Sequence, residues 1–220
     1  MRRATSIFVC VLAAISAPLA TANAIPAQST RVVDRIVARI EGDIILQSQV
    51  RELGEFQQLI DGRSESDSKL LDELIEQWIV ETEASASHFP EPAISEVDRE
   101  LKRLIGLFAN SEQYATRLYQ LGLSAAAVRQ LLSRQIYVAR YVDYKFRPSV
   151  QVEAADIETY YTKDLLPELA KNGRPAPERA AVEDQIRELL IQHGITDLAA
   201  KWLDDTRSRL KIEIEPSSKQ

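Results

Sequence analysis

The stretch Val32-Val33-Asp34-Arg35-Ile36-Val37-Ala38-Arg39-Ile40-Glu41-Gly42-Asp43-Ile44-Ile45-Leu46 decides the fold. Val32, Ile36, Ala38 and Ile40 fall on one side of an extended chain, while Arg35 and Arg39 fall on the other. Period two with β-branched residues predicts a strand. Glu41-Gly42-Asp43 then supplies a tight turn, and Ile44-Ile45 a short return strand. Two strands are marginal alone, and the only other alternating segment lies about 170 residues downstream, where Leu210, Ile212 and Ile214 alternate with Lys211, Glu213 and Glu215. A lone terminal strand cannot satisfy its own backbone groups. The two segments are therefore expected to pair. This predicts a mainly α fold, a multi-helix domain with a small antiparallel sheet joining the N-terminal hairpin and the C-terminal strand.

Between the strands the periodicity is helical. Ser48 is read as the cap of a helix carrying Val50, Leu53 and Leu59-Ile60 and stopped by Gly62. A second helix, from about Ser66 to Ser87, carries Leu70, Leu71, Leu74, Ile75, Trp78 and Ile79 at three-and-four spacing, and Phe89-Pro90-Glu91-Pro92 breaks it. Ser95-Glu96-Val97-Asp98 reads as a capping-box variant opening a third helix with Val97, Leu101, Leu104, Ile105 and Phe108. Tyr114, Leu118 and Tyr119 mark a short fourth helix ended by Gly122.

A fifth helix runs from the Ser124 cap to about Phe146 and carries two stripes. Val128, Leu131, Leu132, Ile136, Ala139 and Val142 form the expected core face, with Tyr137, Tyr141 and Tyr144 beside it at i, i+4 and i+7. Such a helix is on the order of 33 Å long, so part of it is expected to project. A sixth short helix holds Ile157, Tyr160 and Tyr161. Two closing helices, divided at Gly194 with Thr196 as the next cap, carry Val182, Ile186, Leu189 and Leu190, then Leu198, Trp202 and Leu203.

Met1-Arg2-Arg3, an apolar run from Ile7 to Ala20 and the ending Ala22-Asn23-Ala24 read as a secretory signal with an A-x-A cleavage site. The apolar run is shorter than a bilayer span needs, and no later stretch reaches that length without charges, so no integral membrane segment is expected. The product is expected to be exported. Cleavage after Ala24 removes Cys10 together with Arg2 and Arg3, leaving no cysteine and 25 basic against 33 acidic residues, a net charge of −8. Without disulfides, such a chain must rely on a packed core. The negative balance offers no field for phosphates, so nucleic acid is not an expected partner. Two histidines and no exported cysteine argue against a zinc site, and neither a metal nor any other cofactor is expected.

No catalytic motif is present: no G-x-S-x-G, Walker loop, dinucleotide fingerprint or H-E-x-x-H. His88 and His193 sit where a cation suits a helix C-terminus. Acidic residues such as Glu73 with Glu76, and Asp204-Asp205, lie among lysines and arginines as on a solvated helix face. No catalytic residue is therefore assigned, and the protein is not expected to be an enzyme. Phe108, Tyr114, Tyr119, Tyr137, Tyr141 and Tyr144 form the candidate client-binding set, because aromatic rings with polar tips hold apolar peptide segments without demanding one sequence. The alternative is that the same rings pack the second flank of a long buried helix.

The run Arg35-Ile36-Val37-Ala38 through Glu41-Gly42-Asp43-Ile44-Ile45-Leu46-Gln47-Ser48-Gln49-Val50 resembles the opening of the SurA-like periplasmic chaperones. The resemblance continues through Leu70-Leu71-Asp72-Glu73-Leu74-Ile75-Glu76, Ile94-Ser95-Glu96-Val97-Asp98, Arg134-Gln135-Ile136 and Pro148-Ser149-Val150. It divides the chain into a cleaved signal peptide (1–24), a flexible leader (25–31), a helical domain like that family's N-terminal domain (32–161), a linker (162–177), C-terminal helices and strand packing back on that domain (178–215), and a tail (216–220). The linker stands where the family usually carries one or two parvulin-type prolyl isomerase domains, and it is too short to fold as one.

The resemblance implies an ATP-independent periplasmic holdase binding unfolded or partly folded exported and outer-membrane proteins in an apolar inter-helix crevice. Two alternatives stand beside it: prolyl isomerase activity, which follows from the family name only, and a dedicated structural adaptor or homodimer.

Overall fold

The computed structural model describes residues 34–215, and the signal peptide, leader and tail expected at the two ends lie outside them. Strands β1 (Ile36–Ile40) and β2 (Asp43–Leu46) form an antiparallel hairpin. Its two turn residues, Glu41 at φ 51° and Gly42 at φ 106°, both take the left-handed region that matches the twist of the flanking strands. β3 (Ile212–Ile214) pairs antiparallel with β1, setting Ile40 opposite Ile212 and Ala38 opposite Ile214. The order is β2-β1-β3, so the two ends of the described chain close one sheet, as their alternation predicts. A register shift between Ile36 and Ala38 marks a bulge and turns Val37 inward beside Ala38 and Ile40.

One face of the sheet is covered by helices α1 (Gln47–Ile60) and α2 (Asp67–Ala86). Val37, Ala38, Ile40 and Ile45 pack there with Val50, Leu53, Leu70, Leu74, Ile75 and Ile79. α1 starts one residue before Ser48. Leu46 is its cap and donates its N–H to Gln49 Oε1 at 2.8 Å, while Ser48 bonds through its hydroxyl and N–H to the Asp34 carboxylate. Gly62, at φ 72°, follows the helix end. Helix α3 (Ile94–Ile105) likewise begins earlier than the sequence suggests, because Glu96 reaches back to the Ala93 N–H at 2.8 Å and so closes the first turn ahead of Ser95.

Helix α4 (Ser111–Leu121) ends at Gly122 in the left-handed region, and α5 (Ala125–Phe146) starts on the Ser124 hydroxyl, which accepts from the Ala127 N–H. The first half of α5 buries Val128, Leu131 and Leu132 against α1, α3 and α4 through Phe56, Leu59, Val97, Leu104 and Leu118. Its second half turns a different face inward. Tyr137, Tyr141 and Phe146 are buried, whereas Ala139 is exposed. The expected projection of α5 does not occur, because α3 flanks it and α2 and α8 (Arg179–Arg207) pack on it.

α8 is one unbroken helix of 29 residues rather than two. Gly194 does not stop it. A Cβ there would stand 2.7 Å from Val150 Cγ1, so glycine allows the close approach of α8 to the segment after α5, and the Thr196 hydroxyl bonds the Gln192 carbonyl within the helix instead of capping a new one. The second half of α8 packs Ile195 and Ala199 against Phe146, while Trp202 and Leu203 bridge from there to the sheet core. The segment expected to be a linker is partly helical. α6 (Ala154–Tyr160) passes through a π-helical turn (Tyr161–Leu165) into α7 (Leu166–Lys171). Pro167 supplies the reason: its ring crowds the carbonyl four residues earlier, and the wider turn, with the Leu166 N–H on the Tyr161 carbonyl, relieves that crowding.

Candidate functional site

The six aromatic residues singled out from the sequence do not share one surface. Phe89, just past the end of α2, gathers three of them. Its ring centroid lies 5.9 Å from that of Tyr137, 5.3 Å from Tyr141 and 5.2 Å from Tyr144, and the Arg140 guanidinium sits 5.5 Å from the Phe89 centroid. The Tyr137 hydroxyl donates to the Phe89 carbonyl at 3.3 Å. Tyr137 and Tyr141 are buried between Phe89 and the α2 residues Val80 and Ala84, and Tyr144 remains 65% exposed at the edge. Burial, with Glu91 and Glu81 nearby, holds the Tyr137 hydroxyl above the usual tyrosine pKa. Tyr114 is buried in a separate cluster, its ring 5.4 Å from that of half-buried Phe108. Tyr119 stands alone on α4, 88% exposed.

A more concave apolar surface lies elsewhere. α6, the π turn and α7 run out, residues 172–178 turn back, and the first half of α8 returns alongside. The resulting hairpin is an arm with its own buried residues, Ile157, Leu169 and Ile186. Its returning segment is tied back to α6 and the π turn by the Tyr161 hydroxyl donating to the Pro177 carbonyl at 2.7 Å and by the Arg179–Glu158 ion pair at 3.3 Å. Between the two limbs lies a cleft of about 390 Å³, lined by Tyr160, Leu165, Leu169, Val182, Ile186 and Leu189, with Pro175, Pro177 and Arg174 at the turn. Leu189, 36% exposed, lies at its margin.

The arm is attached through Arg147, directly after α5. Its guanidinium donates to both Glu188 oxygens, at 3.1 and 2.8 Å, and its Nε donates to Asp143 at 3.0 Å. The Arg147 hydrogen bonds, then that from Gln192, pull the Glu188 carboxyl down to about 2. Arg147 itself is held firmly protonated. A second open cleft, of about 500 Å³, lies beside Trp202, with Phe146 and Leu198 as its apolar part and Lys201, Asp205, Ser208 and Arg209 as its polar part. Lys145 Nζ stands 4.9 Å from the Trp202 ring centroid and 5.7 Å from that of Tyr141.

Three glutamates on α2 behave in the opposite sense to Glu188, whereas the Ser48 hydrogen bond lowers the Asp34 carboxyl. Burial first, then Glu76, raises the Glu73 carboxyl above its usual range, and burial also raises Glu76 and Glu81. For Glu81 the desolvation outweighs its 2.7 Å ion pair with Arg134. None of these groups stands in a nucleophile–base–orienter arrangement. No cluster among the described residues could hold a metal ion, and no described helix is long and apolar enough to cross a membrane.

The arm residues escaped the sequence-based site list, although a signal for them exists. Leu165 and Leu169, then Val182, Ile186 and Leu189, are spaced by three and four on either side of Asn172-Gly173-Arg174-Pro175-Ala176-Pro177, the pattern of two helices joined by a sharp return.

No family model matches the chain. It is similar to curated proteins named Chaperone SurA, among them those of three Pseudomonas species. The match to that of Pseudomonas fluorescens is 29% identical over 156 residues, covering 67% of this chain and 36% of the relative. That of Pseudomonas putida is 27% identical over 142 residues, covering 60% and 33%, and that of Pseudomonas aeruginosa 26% identical over 142 residues, covering 60% and 34%. The chain thus spans about a third of the length of the curated relatives it matches.

Proposed function

We propose that this protein is a chaperone of the holdase type, which binds unfolded exported or outer-membrane polypeptides in the periplasm without ATP and releases them to fold. The similarity to proteins named Chaperone SurA carries the reading. The arm cleft supports it: a groove of about 390 Å³ between two helices, lined by Leu165, Leu169, Val182, Ile186 and Leu189 together with Tyr160, Gln185 and Arg174, suits short apolar stretches of a chain whose sequence varies. Its limits suit release as well. A cleft that covers a few side chains binds weakly, and mass action then protects the unfolded chain without trapping it. The net charge of −6 for the full sequence keeps the carrier soluble.

The test is light scattering of an unfolded outer-membrane protein diluted from denaturant. The chain from Ile25 onward is expected to suppress aggregation near stoichiometry. The double substitution Val182→Asp with Leu189→Asp, at margin positions that leave Ile157 and Ile186 in place, is expected to weaken suppression severalfold. Absence of suppression at a tenfold excess would refute the reading.

A further inference from the structure

Among the described residues β3 is an edge strand, because the sheet order is β2-β1-β3. In an antiparallel pair only alternate residues give their backbone groups to the neighbour. Glu41 N–H donates to the Lys211 carbonyl at 3.2 Å and Glu215 N–H to the Val37 carbonyl at 2.9 Å, with Glu213 opposite Arg39 between them. This register turns residues 211, 213 and 215 toward β1. The N–H and C=O groups of Ile212 and Ile214 therefore point to the open side. The Ile212 side chain packs on the sheet core, whereas Ile214, on the same face, is 55% exposed and lines a cleft of about 240 Å³ whose floor carries Val37, Val50 and Leu71 and whose rim carries Gln47, Ser68 and the carboxylates of Asp67 and Asp72.

We infer that the open edge of β3 is a second binding site, for an extended stretch of unfolded polypeptide that adds to the sheet as a fourth strand. The inference rests on the chaperone reading for the nature of its ligand. Two N–H and two C=O groups in strand register call for a complementary backbone, which any proline-free extended segment supplies whatever its sequence. Side chains of the added strand alternate between faces, and those on the Ile214 side meet a cleft that is part apolar and part acidic, so a segment with small apolar or hydroxyl side chains and no acidic ones on that face fits best. A second copy of this chain is the poorer occupant. An edge of three residues covers far less than the roughly 1,000 Å² that a lasting interface needs. The same shortness suits a contact that must let go.

The probe is a synthetic octapeptide of alternating valine and threonine, added in excess to the isotope-labelled chain from Ile25 onward while amide hydrogen exchange is followed by NMR. The amides of Ile212 and Ile214 are expected to slow at least tenfold, and the same peptide N-methylated throughout is expected to have no effect. Ile214→Pro, which removes an outward donor without breaking a bond to β1, is expected to weaken peptide binding severalfold. No slowing with the plain peptide, or equal slowing with the methylated one, overturns the inference. So does slowing that grows with protein concentration in the absence of peptide, which would assign the edge to a second copy. Light scattering on the same preparation separates the two readings: suppression of aggregation without edge protection sinks the edge site alone, and no suppression sinks the chaperone reading.

Discussion

In the body of the molecule, α1, α2, α5 and the sheet bury Ala38, Ile40, Leu53, Phe56, Ile75 and Val128 almost completely, whereas in the arm only Ile157 is buried to that degree. The body is thus held by burial around several joined clusters. The arm is held by a thin line of aliphatic residues and by polar ties, chiefly Arg147 to Glu188 and Tyr161 to Pro177. On α2, Glu73, Glu76 and Glu81 are pushed up by desolvation, while at the arm's junction Glu188 is pulled down by hydrogen bonds. The lesson is a division of labour. A well-packed body fixes the base of an arm that packing alone holds only lightly, and elements of low local stability are those that open to ligands.

The largest expected effect separates the two regions directly. Phe56→Ala, in the body, should lower global stability by about 3–5 kcal/mol, read from the urea midpoint. Leu169→Ala, in the arm, should instead speed amide exchange over residues 154–190 and leave the body's midpoint nearly unchanged. An equal shift of the midpoint by both would show that the arm and body unfold as one unit.

Gly194→Ala probes their junction. Its new methyl meets Val150 at 2.7 Å and should destabilise by about 1–3 kcal/mol, with most of the loss recovered by pairing it with Val150→Ala. A smaller effect comes from pH. Glu73, Glu76 and Glu81 have folded-state values above their usual 4.5, so they oppose folding when charged, and the body's thermal midpoint should rise as pH falls from neutral toward 4.5. Glu188 works the other way. Its contribution is complete above 4.5 and is lost as pH falls from there toward 2, so the arm's amide protection, taken relative to the intrinsic exchange rate at each pH, should fall only in that lower window. The smallest effect is that of Arg147→Met at neutral pH, which should quicken exchange in the arm without moving the body's midpoint.

The sheet was legible because Leu210, Ile212 and Ile214 carry a strand period and a lone strand must find a partner. The caps were legible to within two residues. Leu46 and Ala93 escaped notice as caps because their side chains offer no acceptor, and the bonds come from Gln49 and Glu96 reaching back. α8 was misread at Gly194, since a glycine that ends a helix and a glycine that admits a neighbouring side chain look alike until Val150 is in place. The site was less legible still. Tyr137, Tyr141 and Tyr144 have helical spacing, but it is the packing of Val80 and Ala84 of α2, Phe89 beyond it, and Trp202 and Leu203 of α8 that decides that two of them turn inward. The arm cleft depends on residues 162–177 being partly helical, and Pro167 hides that by forcing a π turn where a helix reading stops.

The most direct test of the account is photo-crosslinking with a benzophenone side chain placed at Val182 or Leu189 in the arm, and at Ile94 or Tyr119 on the body, in the presence of an unfolded outer-membrane protein. Strong crosslinks are expected from both arm positions and little from Ile94 or Tyr119, exposed as they are. Equal or stronger crosslinking from the body positions would contradict it.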